Sequence, residues 1–251
     1  NALAINQSQL SGFCNAKGRL FAIFQLIRRE EFYQLVLPKV MCSALQQRLS
    51  MFVLRAKVTI SDESENSVCI GLSAQDKTQL GLPADMLVSS EQSNRHMLIA
   101  PITTVNELLQ NFQERTWTLE ASALWEQFDI EAGIPTIYPE TKEKFTPQQL
   151  NLDLINGVSF NKGCYPGQEV VARLHYLGKP SRRMIMAQAM TTELITLADE
   201  ITTESGDIAG HIVRSQITDD GTTLLLLSIK LSEQEKALFV NTSVPVSLLA
   251  S

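Results

Sequence analysis

The chain has little of what marks a metalloprotein. Among 251 residues there are four cysteines, at 14, 42, 69 and 164, and three histidines, at 96, 175 and 211. No cysteines pair as CxxC, and no histidine stands at ligand spacing from another histidine or a cysteine. The spacing of a zinc or iron–sulfur centre is therefore missing, and no permanently bound metal is expected. Each histidine reads as solvent-facing or hydrogen-bonded. Free, scattered thiols fit a reducing, cytoplasmic compartment. No apolar run approaches the roughly 20 residues that cross a bilayer, and no cleavable leader stands at the start, so no membrane partner is expected. Aromatic residues make up 6% and the net charge is −6. Without a basic stripe carrying interleaved aromatics, direct nucleic-acid binding is not expected. The glycines between residues 12 and 18 lack the spacing and the Lys-Ser/Thr ending of a phosphate loop.

What remains is a globular composition, with 44% hydrophobic and 19% charged residues, enough for one large domain or two modest ones. Residues 20–27 and 32–37 are apolar β-type runs around the polar turn Arg28-Arg29-Glu30-Glu31, which predicts a hairpin. Pro38 opens a helical pattern with Val40, Ala44, Leu45 and Leu49 on one face. Residues 57–60 alternate as a strand, 61–67 form a polar acidic loop, and 68–72 form another strand. Residues 86–88 and 97–100 flank a polar turn at Gln92-Ser93-Asn94. Thr104 is placed to cap a helix through Phe112, with Glu107 at the capping-box position. A second helix covers about 119–132 and stops at Gly133. Residues 135–161 read as an irregular connection, and one so long is functional or docked on a surface. Pro166 suits the first turn of a further helix and Gly178 its end, with Val170, Val171, Leu174 and Leu177 as an apolar stripe. After Pro180 come strands at 184–190, 208–217 and 222–230, with Asp219-Asp220-Gly221 as a hairpin turn, and more strand pattern at 238–249. The fold class is α+β: a body over residues 1–180 in two subdomains, then a small barrel-like β module over 181–251.

The segment Lys162-Gly163-Cys164-Tyr165-Pro166-Gly167-Gln168-Glu169 carries the chemistry. A free cysteine is most often a buried space-filler. Here the thiol stands between a lysine and a helix start, both of which favour thiolate. Gly163 and Gly167 read as residues of special backbone conformation. Tyr165 either packs or lends its hydroxyl to a cavity. Gln168 and Glu169 occupy the first helical turn, where Glu169 offsets the helix dipole whatever else it does, and Arg173 is placed to pair with it at i, i+4.

This segment, followed by Val171-Ala172-Arg173, resembles the signature of the YgfZ family of folate-binding proteins, which serve iron–sulfur cluster assembly or repair and cluster-dependent tRNA modification. Three other stretches agree: Phe13-Cys14-Asn15-Ala16-Lys17-Gly18-Arg19; Leu54-Arg55-Ala56-Lys57-Val58 as a strand after the first helix; and Ile130-Glu131-Ala132-Gly133-Ile134-Pro135, with Phe145-x-Pro147-Gln148-x-x-Asn151-Leu152. The resemblance reaches to about Arg183. It implies an architecture like the T-protein of the glycine cleavage system, with domains around a central cavity that holds tetrahydrofolate and a β-barrel last. It also implies a missing opening section. Family members begin with a strand, a helix and a further segment before such a hairpin, whereas this chain starts at Asn1.

From the resemblance, tetrahydrofolate or a one-carbon derivative is the expected cofactor. Trp125 is the candidate folate contact, although a tryptophan on a helix is more often core; Trp117 has no such support. Cys164 is the candidate functional thiol, with Lys162 and Tyr165 beside it. The expected partners are iron–sulfur enzymes or assembly proteins. A single thiolate cannot hold a cluster, which needs about four ligands, so any cluster contact would be shared. An aminomethyltransferase like the T-protein is the second reading. The aspartate pair of T-proteins aligns with Ala22-Ile23, and hydrocarbon cannot orient an amine. The third is a thiol-redox or scaffold protein without folate.

Overall fold

Turn chemistry and strand alternation decide most elements of this computed structural model, which describes residues 3–74, 80, 82, 94–114 and 117–249 and the backbone of 87–89. The chain forms two compact units, one of Asn1–Gln9 with Gln25–Ser122, the other of Leu10–Phe24 with Ala123–Ser251. Strands β1 (Ser8–Cys14) and β2 (Leu20–Arg28) each contribute residues to both. The change of character near residue 180 does not coincide with this division, because the barrel strands share a unit with residues 123–180.

In the first unit, β2 pairs antiparallel with β3 (Tyr33–Val36), the hairpin expected from the sequence. Helix α1 (Lys39–Ser50) follows. Its inward side is Met41 and Leu45, one turn apart, while Val40 is 60% exposed, so the buried stripe is rotated from the expected one. The strand expected at 57–60 does not form. These residues have no neighbouring strand among the described residues, and the Ile60 carbonyl accepts from the Gln46 side chain at 2.9 Å instead. The family-like stretch 54–58 is likewise irregular, with Leu54 exposed. Strands β4 (Ser67–Ser73), β5 (Leu87–Ser89) and β6 (Arg95–Pro101) make a sheet of order β4-β6-β5. The polar turn at 92–93 lies outside the described residues. Helix α2 (Val105–Glu114) adds Leu108 and Phe112 to a core with Leu72, Leu98 and Ala100, and Trp117 packs against it. Thr104 does not cap this helix: its hydroxyl donates to the Pro101 carbonyl at 2.8 Å within a preceding 3-10 turn.

In the second unit, α3 (Ser122–Glu131) starts three residues later than expected and stops where Gly133 adopts φ +63°. Gly133 N–H donates to Ile130 and Ile134 N–H to Asp129, the paired bonds of a Schellman ending. Helix α4 (Gln168–Tyr176) buries Val171, whereas Leu177, expected on its apolar stripe, is exposed just past its end. The barrel strands are β7 (Arg182–Ala189), β8 (Glu200–Thr203), β9 (Ile208–Ile217), β10 (Thr223–Lys230), β11 (Leu238–Val240) and β12 (Val244–Leu248). They close in the order β10-β7-β12-β11-β8-β9. Closure removes sheet edges and gives each strand an inner row, here including Ala187, Ile201, Ile212, Leu225, Leu227 and Ile229. The β9–β10 turn uses the expected Gly221, at φ +82°, and Asp220 accepts from Thr222 N–H.

The irregular 135–161 segment is docked on the outside of this barrel. Gln149 in its 3-10 turn (Pro147–Leu150) accepts from Thr146 N–H through its side chain, and the Ser228 hydroxyl of β10 donates to the Gln149 carbonyl at 3.1 Å. Arg183 of β7 forks onto Asp153 at 2.7 and 3.0 Å and also reaches the Gln148 carbonyl. Asn151, at φ +55°, exchanges two side-chain bonds with the Met184 backbone, and Gln148 donates to Val171 of α4 at 2.7 Å. Ile137, Phe145, Leu150 and Leu152 are fully buried beneath it.

Candidate functional site

Tyr165-Pro166-Gly167-Gln168 is a type II β-turn. Gln168 N–H donates to the Tyr165 carbonyl at 3.1 Å, Pro166 takes the second position, and Gly167 has φ +78°, ψ 4°. The Gln168 side chain accepts in return from Tyr165 N–H at 3.2 Å. Pro166 thus belongs to this turn rather than to the helix it was expected to open. α4 begins at Gln168, with the whole turn between it and Cys164.

Gly167 is required twice. Its φ is left-handed, and a Cβ there would stand 2.4 Å from the Asn15 carbonyl oxygen and 2.5 Å from Gly18 Cα. Gly18, at φ +70°, is the matching half, since its Cβ would meet Val170 at 3.0 Å and the Gly167 oxygen at 3.2 Å. Asn15 shapes that facing turn by accepting from the N–H groups of Lys17 and Arg19. Two separate sequence signatures are therefore one interlock of backbone on backbone.

Just before it the chain is open. Gly163 lies outside the left-handed region, and a Cβ on it would meet nothing within 4 Å, so the expected conformational role does not apply. Cys164 is exposed. Lys162, also exposed, sets its ammonium over the Tyr165 ring, 4.8 Å from the centroid. Both flank a small cavity with Gly12, Cys14, Pro147, Leu152, Gly157, Val158 and Ser159. Its room of about 20 Å³ holds one water and no ring system. The Tyr165 hydroxyl is buried with no hydrogen-bond partner among the described residues, and burial pushes its pKa up. Cys14, 5% exposed, is the thiol of this cavity. Burial pushes it up to about 11, against the opposing pull of the Lys162 ammonium. Sequence reading placed Cys14 in the Phe13–Arg19 stretch but gave its thiol no role; only the packing of the 157–165 segment around the end of β1 shows one.

Glu169 and Arg173 are both exposed, and the ion pair expected between them is absent among the described residues. Trp125 is half-buried on α3, a helix that carries a second cluster. The residue after it, Glu126, and Asp129 one turn on both bind Arg214 of β9. Arg214 is 4% exposed and also donates to the Ile134 carbonyl at 3.0 Å, tying both α3 and its Schellman ending to the barrel. Burial pulls the Arg214 pKa down, but Asp129 and Glu126 more than reverse it. A lone arginine in a strand gave no signal of this clamp. Among the described residues, no three His, Cys, Asp or Glu side chains converge as metal ligands, and no helix is long and apolar enough to cross a membrane.

No family model matches the chain. Curated relatives do. The tRNA-modifying protein YgfZ of Colwellia psychrerythraea is 28% identical, aligning with 100% of this chain and 85% of its own length. That of Photobacterium profundum is 29% identical over 98% of this chain and 82% of its own. That of Photorhabdus laumondii is 30% identical over 82% of this chain and 67% of its own. The chain belongs to the YgfZ family. Its fold is that of a T-protein: the crystal structure of glycine cleavage system aminomethyltransferase T from Bartonella henselae superposes with a TM-score of 0.74, covering 99% of this chain and 76% of that one. At 16% identity this likeness is one of fold. Within the YgfZ signature, the structure separates Gly167 and Gln168, which build the turn, from Lys162 and Tyr165, which wall the cavity, and leaves Cys164 facing out.

Proposed function

We propose that this YgfZ-family protein is a cytoplasmic, tetrahydrofolate-binding accessory protein that supports assembly or repair of iron–sulfur enzymes, with Cys164 as its working thiol. The observation that carries this reading is the exposed Cys164 on a segment whose next three residues are locked into a rigid turn. Such a thiol is accessible to a partner and presented from a fixed base. The relatives are named tRNA-modifying proteins. For a chain of net charge −6, an effect on tRNA is better explained through a cluster-dependent modifying enzyme than by direct binding. Trp125 is the aromatic contact for the folate ring, on a helix held by Arg214. The Cys14 cavity is too small to take part in ring binding. Against the transferase reading, Ala22 and Ile23 are buried apolar residues of β2, at 1% and 4% exposure, and offer no group to an amine.

Calorimetry and tryptophan fluorescence on the whole chain test the folate half. The expected result is saturable tetrahydrofolate binding that weakens at least about tenfold in Trp125→Ala. Absence of both heat and fluorescence change rejects it. For the thiol half, Cys164→Ala should keep the wild-type melting temperature while cluster-dependent enzymes lose activity in cells that rely on this protein. Undiminished enzyme activity rejects that half.

A further inference from the structure

Two thiols of the second unit belong to chain segments that meet at one small cavity. Cys14 ends β1 and faces the small cavity. Cys164 stands between Lys162 and Tyr165, and both of those line the cavity with Cys14. The close approach of Gly167 to the Asn15 carbonyl holds the two chain segments against each other one residue beyond Cys14 and three beyond Cys164. The empty room beside Cys14, about 20 Å³, is enough for one water-sized group. Gly163, one residue before Cys164, has open space where a Cβ would be and the wide backbone freedom of glycine. We propose that Cys14 is the resolving thiol for Cys164: a hydroperoxide oxidises Cys164, and Cys14 then closes an intramolecular disulfide with it, drawing the Cys164 sulfur into the cavity.

The steps balance. The Cys164 sulfur attacks the hydroperoxide, the O–O bond breaks, and an alcohol (or water) leaves as Cys164 becomes a sulfenic acid. The Cys14 sulfur then attacks the Cys164 sulfur. The S–S bond forms, the S–O bond breaks, and the departing hydroxide takes the Cys14 proton as water. Two thiols lose two electrons and the peroxide gains them. The order follows from access. Cys164 is exposed, whereas Cys14 is buried and held as a thiol. The inference rests on Cys164 as the working thiol but not on folate or on any iron–sulfur client.

The test is mass spectrometry of the whole chain after equimolar hydrogen peroxide, digested without reductant. The expected product is a Cys14–Cys164 cross-linked peptide that a dithiol reductant reverses. In Cys14→Ala, Cys164 should accumulate as a dimedone-reactive sulfenic acid and pass to sulfinic acid about tenfold faster than in the wild type. In Cys164→Ser, Cys14 should stay reduced. The proposal is overturned if wild-type Cys164 goes to sulfinic acid without the cross-link, or if it pairs with Cys42 or Cys69 instead. The wild-type arm decides this even if Cys14→Ala folds poorly. A cross-link that forms while Cys164→Ala leaves cluster enzymes unaffected keeps the disulfide and removes the proposed cellular role; loss of enzyme activity without a cross-link does the reverse.

Discussion

The barrel and the strap at 157–167 share one compact unit and are held in opposite ways. The barrel is fixed by side chains, with an inner row of fully buried Ile, Leu and Ala backed by a closed hydrogen-bond ladder. The strap has no ladder. It is pinned at one end by two glycines whose missing side chains let backbone touch backbone, and four residues earlier, at Gly163, it borders open space. Stability and reactivity are thereby separated over a few residues. A barrel tolerates change where volume is conserved, whereas the pinned end tolerates no added atom and the open end tolerates several.

Three substitutions or conditions separate these regimes, in falling order of effect. Arg214→Met breaks the barrel's tie to α3 and leaves Asp129, 15% exposed, without its cation. Breaking a buried pair by removing one partner costs about 3–5 kcal/mol, read as a shift in urea midpoint. A loss under about 1 kcal/mol means the clamp is ornamental. Gly167→Ala comes next. A left-handed φ and a Cβ 2.4 Å from a carbonyl oxygen leave no flexible atom to yield, so about 3 kcal/mol is expected. The third is pH. The folded Cys14 thiol titrates near 11 rather than near 9, so the unfolded chain loses its proton first as pH rises. The stability linked to burying a neutral thiol is fully present below pH 9 and is lost through pH 11, at most about 2–3 kcal/mol for a two-unit shift. Cys14→Ala should show a correspondingly shallower alkaline decline in denaturant titrations at fixed pH steps. An unchanged decline places that thiol in water.

Much of the fold was legible because local chemistry and tertiary structure agree. Gly133, Gly221 and the alternating strands after residue 180 all stand where their turns and ladders need them. The failures share a cause. Residues 57–60 alternate like a strand but have no partner strand among the described residues, and periodicity does not report a missing neighbour. Val40 lost its place to Met41 because the direction of burial is set by the packing partner, not by the helix. At the site, the motif Lys162–Glu169 was visible as a unit, but its internal division was not. Pro166 and Gly167 looked like a helix start and are a type II turn, and Gly163 looked like Gly167. The roles of Cys14 and Arg214 were invisible for the same reason, since each depends on residues 80 or more positions away in sequence.

The two glycines of the motif give the smallest and sharpest contrast. Gly163→Ala adds the same methyl as Gly167→Ala, four residues away, and it meets nothing within 4 Å at an ordinary φ. Its expected effect on stability is within about 0.5 kcal/mol, as for a surface substitution. Alkylation of Cys164 by iodoacetamide should stay within about twofold of wild type, because exposure is unchanged. Closure of the Cys14–Cys164 disulfide should slow, because alanine narrows the backbone freedom the strap needs to turn inward. If Gly163→Ala instead destabilises the protein as much as Gly167→Ala, the strap is pinned along its whole length. The exposed thiol would then be one fixed feature of a rigid surface rather than the mobile end of a hinged segment.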